Sequence, residues 1–382
     1  MQPLIRTLAA AALMTATPLA STASTLATTG TVHMIGVDNA GPSGHDYQYV
    51  DYFPRSGVNV HSGDILDFRW NTGSQDGLHT VTFVPNGLVA PSFATLDPDD
   101  GFQNGPPLEF NPAVLDPSNP ECGGSAINPC SYAAAQLLNS GAKFDPKGGD
   151  FFVQLNVAAG PLTWICLIHP GMHGSVDVVP DSVPASTAGE VQAAAESQLD
   201  SDTVGARMVE AQARRRSVAE NPNGTHTVTM TAGTATQYVE VLEMLPHTVE
   251  LRPGDTVKWV TRTQKEPHTV TFPRGPGSDA VDPLPTVCEV APADTLAPLQ
   301  FPVAGAPYGC TTAAEVHIVP QPLGGTVISS PNTVASSGII STLPGFPSSF
   351  SFSFANRGTF AYQCRIHDHM WGVVSVNGDA DE

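Results

Sequence analysis

The sequence predicts an all-β protein built from two tandem β-sandwich or Greek-key barrel units joined by a helical linker. Three observations point there. Short runs of alternating apolar and polar residues are separated by Gly, Pro, Asn and Asp clusters, the pattern of half-buried strands and turns. The series of runs occurs twice in the chain, which marks an internal repeat. Between the copies lies an Ala-, Glu-, Gln- and Leu-rich stretch with helical spacing.

In chain order, residues 31–37 alternate and read as a strand, and 58–64 lead through a Ser-Gly-Asp turn into a strand at 65–70. Residues 78–84 form a strand carrying His79, with Val81 and Phe83 on one face and Thr80 and Thr82 on the other. A Pro/Gly/Asn/Asp-rich insertion, 85–147, holds Cys122 and Cys130; loops of that length usually cover or serve a site. Strands follow at 150–157, 162–167 and 175–179. The linker, 181–222, opens with the capping-box pattern Thr187-Ala188-Gly189-Glu190. Val191, Ala195 and Leu199 share one helical face, Val204, Met208 and Ala211 another, and Gly205 is a candidate break between two helices. Arg214, Arg215 and Arg216 sit where cations favour a helix C-terminus. The pattern then restarts. Residues 227–230 match 31–34, 249–255 match 58–64, 256–259 match 65–68, and His268 matches His79. A second insertion carries Cys288 and Cys310. Ser337-Gly338 stands before Cys364 much as Ser140-Gly141 stands before Cys166, and strands at 349–354 and 373–376 complete the copy. The expected boundaries are 1–23 for a signal peptide, 28–180 for the first unit, 181–222 for the linker and 223–382 for the second unit.

The 382 residues carry 36 acidic and 16 basic side chains, a formal charge of −20. Such a surface argues against nucleic acid and anionic membranes, and suits a cationic protein partner or simple solubility. Arg6, an apolar stretch from Leu8 to Met14 and small residues up to Ala23 or Ala27 read as a cleaved export signal. The apolar stretch is too short to span a bilayer, and no later run is long enough. The expectation is an exported chain, periplasmic or extracellular, without a membrane span. Six cysteines fit that compartment. The expected disulfides are Cys122–Cys130 and Cys288–Cys310, one per half, each worth about 2–3 kcal/mol by loop closure. A zinc site is the weaker alternative, because neither pair has C-x2-C spacing or nearby paired His.

The other two cysteines open a repeated motif. Cys166-Leu167-Ile168-His169-Pro170-Gly171-Met172-His173-Gly174 and Cys364-Arg365-Ile366-His367-Asp368-His369-Met370-Trp371-Gly372 both read C-x2-H-x2-M-x-G. Thiolate, imidazole and thioether form a soft donor set that suits copper cycling between its two oxidation states. A blue-copper centre needs one further imidazole, and His79 and His268 supply it from matching H-T-V-T-F strands. Each donor alone has an ordinary explanation as core Met, disulfide Cys or satisfied His; their recurrence in one order, twice, does not.

Each unit resembles the cupredoxin family, in its plastocyanin/amicyanin type. The resemblance is carried by the Gly-Asp turn, the H-T-V-T-F strand, the G-T-F-x-Y-x-C strand and the short metal loop. It covers the mature chain outside the linker and insertions. It implies two tandem cupredoxin-like domains with two type 1 copper sites, His79, Cys166, His169 and axial Met172, then His268, Cys364, His367 and axial Met370. Thr80 and Thr269 depart from the family by standing where many relatives have Asn. His173 and His369 flank the axial Met and are expected on the rim rather than as ligands. Electron transfer to a redox partner protein is the leading expectation, with the loop His as electron port and further assembly into oligomers open. Copper sequestration or delivery uses the same ligands and is the alternative. A multicopper oxidoreductase is disfavoured: the neighbours of Cys166 and Cys364 are Ile165, Leu167, Gln363 and Arg365, not His, and His33, His45, His61, His226, His247 and His317 are scattered.

Overall fold

The computed structural model describes residues 30–70, 77–96, 108–144, 149–263, 265–274, 317–318, 322, 324–333, 335–343, 345–364, 366–367 and 369–378. The expected signal peptide and the Cys288–Cys310 pair lie outside them. The fold class is as expected: two β-sandwiches in tandem with a helix between them.

In the first half, one sheet runs in the order Cys130–Tyr132, Phe151–Leu155, Ile65–Arg69, Val32–Val37, Tyr52–Phe53. The facing sheet runs Leu138–Asn139, Thr82–Phe83, Gly160–Ile165, His173–Val178, Val58–Val60. Phe68, Trp70, Phe83, Phe151 and Trp164 fill the space between the sheets. The second half repeats the facing sheet element for element: Ala335–Ser336, Thr271–Phe272, Gly358–Gln363, Trp371–Val376, Thr248–Leu251. Its core is built on Trp259, Phe272, Phe352 and Tyr362. Burial alternates along Phe151–Leu155 and Trp371–Val376, as one wet and one dry face require. The Asp of each Gly-Asp turn locks the corner. Asp64 accepts from the backbone N–H of Thr31 and His61, and Asp255 from those of His226 and Arg252.

Those caps reveal a register that differs from the expected one. Val32 lies opposite Ile65, and Thr227 lies opposite Thr256. Residue 32 therefore corresponds to 227, not 228, and the match of 31–34 to 227–230 is one residue out. Both segments read T-V-x-M, so identity alone favoured the slipped alignment, but in a strand one step reverses every side chain. Burial supports the corrected register: His33, Ile35 and Val37 point inward, as do Val228, Met230 and Ala232.

Four further expectations change. The linker helix, Ala188–Ala213, is continuous through Gly205. It begins with the expected capping box at Thr187 and Glu190. A Cβ at Gly205 would meet only Thr236, at an ordinary contact distance, so the residue is tolerated within the helix rather than breaking it. Its second buried face is Ala206, Glu210 and Ala213, whereas Val204 and Met208 are exposed. The helix is also more than a linker. It packs a third small core with Tyr47, Tyr49, Phe53, Val239, Val241 and Leu245. Tyr47–Tyr49, from the first half, pairs antiparallel with Val239–Leu245 and extends the second half's sheet across the expected boundary. Finally, the strand expected at 78–84 divides into Leu78–His79 and Thr82–Phe83, and Thr80 and Thr82 are as buried as Val81.

The first insertion contains the expected Cys122–Cys130 disulfide. Its strands Ala94–Leu96 and Leu108–Phe110 form a small sheet with His317–Ile318 of the second insertion, so the two insertions meet. No helix among the described residues is long and apolar enough to cross a membrane.

Candidate metal centres

Each centre is delivered by a strand, a loop and the next strand. Gly160–Ile165 ends at Cys166, the loop turns through His169, and Met172 leads into His173–Val178. The loop is closed by Cys166 N–H donating to the Met172 carbonyl at 3.0 Å, and by Cys364 N–H donating to the Met370 carbonyl at 2.7 Å. The motif's terminal glycine has a packing reason. A Cβ on Gly174 would lie 2.5 Å from the Trp164 ring, and one on Gly372 would lie 2.5 Å from the Tyr362 hydroxyl. The aromatic residue two before each Cys needs that space.

The predicted donors converge. In the first half, His79 and His169 bring their Nδ1 atoms to 3.0 Å, and Cys166 Sγ lies 3.7 Å from His169 Nδ1. In the second, His268 and His367 Nδ1 are 3.2 Å apart, and Cys364 Sγ lies 3.8 Å from His367 Nδ1. All six are buried, as are Met172 and Met370 in the same loops. Each sulfur receives two backbone N–H groups at 3.4 Å: Thr80 and Ile168 at Cys166, Thr269 and Ile366 at Cys364. Thr80, the departure from the family pattern, also fixes the geometry. Its hydroxyl accepts from Leu167 N–H and so ties the Cys end of the loop to the His79 strand.

The electrostatics suit a bound cation. Burial would raise both thiols, but two imidazoles beside each one hold Cys166 and Cys364 well below the ordinary thiol range, as thiolates. His169 directs its other nitrogen, Nε2, to the Glu266 carboxylate at 2.5 Å, and His79 directs its Nε2 to Asp38 at 3.1 Å. A carboxylate only accepts, so those Nε2 atoms carry hydrogen. Their Nδ1 lone pairs then point at one another and at a thiolate. In the metal-free chain a proton must fill that gap, and His169 is accordingly pushed up to about 10: burial works against the charge, but Glu266 and Cys166 outweigh it. Two imidazole nitrogens, a thiolate and a nearby Met are the donor set of a copper site, so these residues fit the ion the sequence implied.

Glu266, Asp38 and Gly233 were not foreseen. Glu266 also accepts from His367 Nε2 at 3.3 Å, so one carboxylate spans both centres. The loop histidines expected as electron ports are therefore both buried on this carboxylate, and His169 reaches across to the second half to meet it. Asp38 and Gly233 occupy equivalent positions in the corrected register, both in the left-handed region with φ of 62° and 72°. Asp38 is tied down by the Tyr49 N–H and holds His79. Gly233 has nothing to offer His268, whose buried Nε2 has no hydrogen-bond partner among the described residues. A Cβ at Gly233 would lie 2.0 Å from that nitrogen.

Most of the other histidines are already engaged. His173, on the exposed side of its loop, bonds the Gly171 carbonyl, while His369 is half-buried with φ of 62°. His33 bonds Asp64, His61 the Val183 carbonyl, His226 pairs with Asp255, and His247 lies edge-on to Trp371. His317 lies in a strand whose side chains are not described. His45 converges with Glu210 and Glu243, a cluster brought together from three distant segments. There Arg214 already pairs with both carboxylates and Tyr47 donates to Glu210, so the group acts as a lock on the helix C-terminus.

Neither a family model nor a curated protein sequence matches this chain. Among solved structures, auracyanin B is 17% identical, over 40% of this chain and 88% of that one, with a TM-score of 0.22. The reduced state of an amicyanin mutant is 16% identical over 43% and 94%, at 0.17. A Cu-containing nitrite reductase from Thermus scotoductus is 12% identical over 91% and 68%, at 0.22. Overlaps this weak decide nothing about the two centres; the donor atoms do.

Proposed function

We propose that the protein is an exported electron carrier of cupredoxin type, holding two type 1 copper ions per chain. His79, Cys166, His169 and Met172 would hold one; His268, Cys364, His367 and Met370 would hold the other. The observation that carries this reading is the convergence, twice, of two imidazole Nδ1 atoms on a buried thiolate already capped by two N–H groups. Copper in such a site supplies a reversible one-electron couple. The protein's part is to fix the donors so that little moves when the charge changes, to exclude water and to tune the sulfur through its N–H donors.

The same features favour electron transfer over the alternatives. Four protein donors leave no open position for a substrate. Burial of every donor, with the His169 and His367 rings clamped by Glu266, favours retention of the ion over delivery. The acidic surface suits a cationic redox partner.

Copper content and the visible spectrum of the oxidised, loaded protein test the proposal. Two ions per chain are expected, with strong thiolate-to-copper absorption that Cys166→Ala and Cys364→Ala each cut by half. Copper in excess of two without that absorption would revive an enzymatic reading. No thiolate band would overturn the assignment.

A further inference from the structure

Resting on that reading, we propose that Glu266 is the bridge that joins the two centres into one coupled redox pair. A single carboxylate accepts from the outer nitrogen of a ligand imidazole in each half, Oε1 from His169 and Oε2 from His367. In both rings the opposite nitrogen, Nδ1, is the one that faces the thiolate. The connection therefore runs ring, carboxylate, ring. Its only non-covalent steps are two hydrogen bonds, of 2.5 and 3.3 Å.

The surroundings hold this connection dry and still. His169, His367 and Glu266 are all buried or nearly so. Lys265, next to Glu266, donates Nζ to the carbonyl of Pro170, next to His169. Thr342 donates its hydroxyl to the Thr263 carbonyl, and Thr263 in turn accepts from Lys265 N–H. The segment is thus pinned from both halves. Docking alone would not need this placement. A docking carboxylate can meet any pair of donors at an interface, and isolating a carboxylate from water is costly. Here both oxygens land on the rings whose inner nitrogens are the candidate ligands.

The step is a one-electron exchange. The reduced centre is oxidised, its neighbour is reduced, and no atom or proton leaves the pair. Glu266 contributes the coupling path and one negative charge shared by both centres. That charge favours the more positive oxidation state at each.

The full-length, copper-loaded chain provides the test. A sub-stoichiometric reducing pulse, followed at the thiolate bands, should show a first-order phase independent of protein concentration as the electron re-equilibrates within the chain. Glu266→Ala should slow that phase about tenfold or more, the effect of a modest rise in barrier. Both midpoint potentials should rise, because the shared charge is gone. An unchanged phase with both bands intact would overturn the bridge while leaving the two-copper reading standing. A slower phase with unmoved potentials would also overturn it, since Glu266 would then only hold the halves together. Should Glu266→Ala fold poorly, Glu266→Gln keeps the size. In the diamagnetic Cu(I) form, low-field Nε2–H signals from both rings that shift in Glu266→Gln support the proposal. Absence of those signals in the parent protein counts against it. Absence of thiolate bands in the parent would instead fail the copper reading itself.

Discussion

The two centres share their donors and differ one layer out. At the first, Asp38 holds the distal nitrogen of His79, and the pair is buried. At the second, Gly233 faces His268, whose distal nitrogen has no partner among the described residues. The consequence shows in the imidazoles themselves. Burial alone lowers both, but the Asp38 and Cys166 contacts leave His79 raised, whereas His268 remains lowered. A carboxylate behind a ligand imidazole makes it a stronger donor and favours the more positive metal state. Identical first neighbours therefore need not give identical potentials, and with copper bound the first centre is expected to have the lower one.

The most severe way to break the comparison is Gly233→Ala. The added carbon would collide with the His268 ring, in a left-handed conformation that itself costs about 1 kcal/mol for a side chain. The second centre's absorption should vanish while the first persists, read as a half-intensity visible spectrum. Asp38→Asn should erase much of the difference in the other direction. The first centre's midpoint potential should rise towards the second's, by tens of millivolts on a scale where tenfold is about 59 mV for one electron. Spectroelectrochemistry of Cys364→Ala, with and without Asp38→Asn, isolates that centre.

A smaller effect sharpens the contrast in stability. Glu240, in the second half, is fully buried, with Thr263 donating to one oxygen and no partner for the other among the described residues. Burial, reinforced by Glu266, raises it to about 8. Its folded value exceeds its unfolded one, so its contribution is fully present below about 4.3, the ordinary Glu value, and lost as pH rises through about 8. Glu240→Gln keeps the Thr263 contact without the charge. Its melting temperature should match the parent near pH 4 and exceed it by a few degrees at pH 9. The smallest effect is expected at the helix end. Arg214→Ala removes the pairs to Glu210 and Glu243, half-exposed contacts worth about 0.5–1 kcal/mol, and should lower the melting temperature by about 1–4 °C with both visible bands intact.

The parts of this molecule that sequence reading reaches are those written locally. Three donors within seven residues, a turn Asp that caps its own corner and a Thr-x-x-Glu box each have their partners nearby in the chain. Cys166, His169 and Met172 could be read together because one loop carries them, and His79 because its strand recurs as His268. The rest depends on what packs beside what. Asp38 and Gly233 are equivalent only in the strand register that Ile65 and Thr256 impose, and the T-V-x-M identity pointed one residue away from it. Glu266 is an ordinary acidic residue until the other half is docked. Val204 and Met208 have the spacing of a buried stripe, yet the helix turns Ala206 and Ala213 to the sheets, because small side chains allow the closer approach.

The strand Tyr47–Tyr49 carries one more consequence. It leaves the ribosome early, yet its partner, Val239–Leu245, emerges some two hundred residues later. Until then the nascent first half bears a tyrosine-rich segment with no sheet to join, and a second half made separately would bear an open edge of the same shape. Cutting the gene at the helix would therefore yield two sticky fragments rather than two small proteins. A few backbone hydrogen bonds thus make the two halves one folding unit.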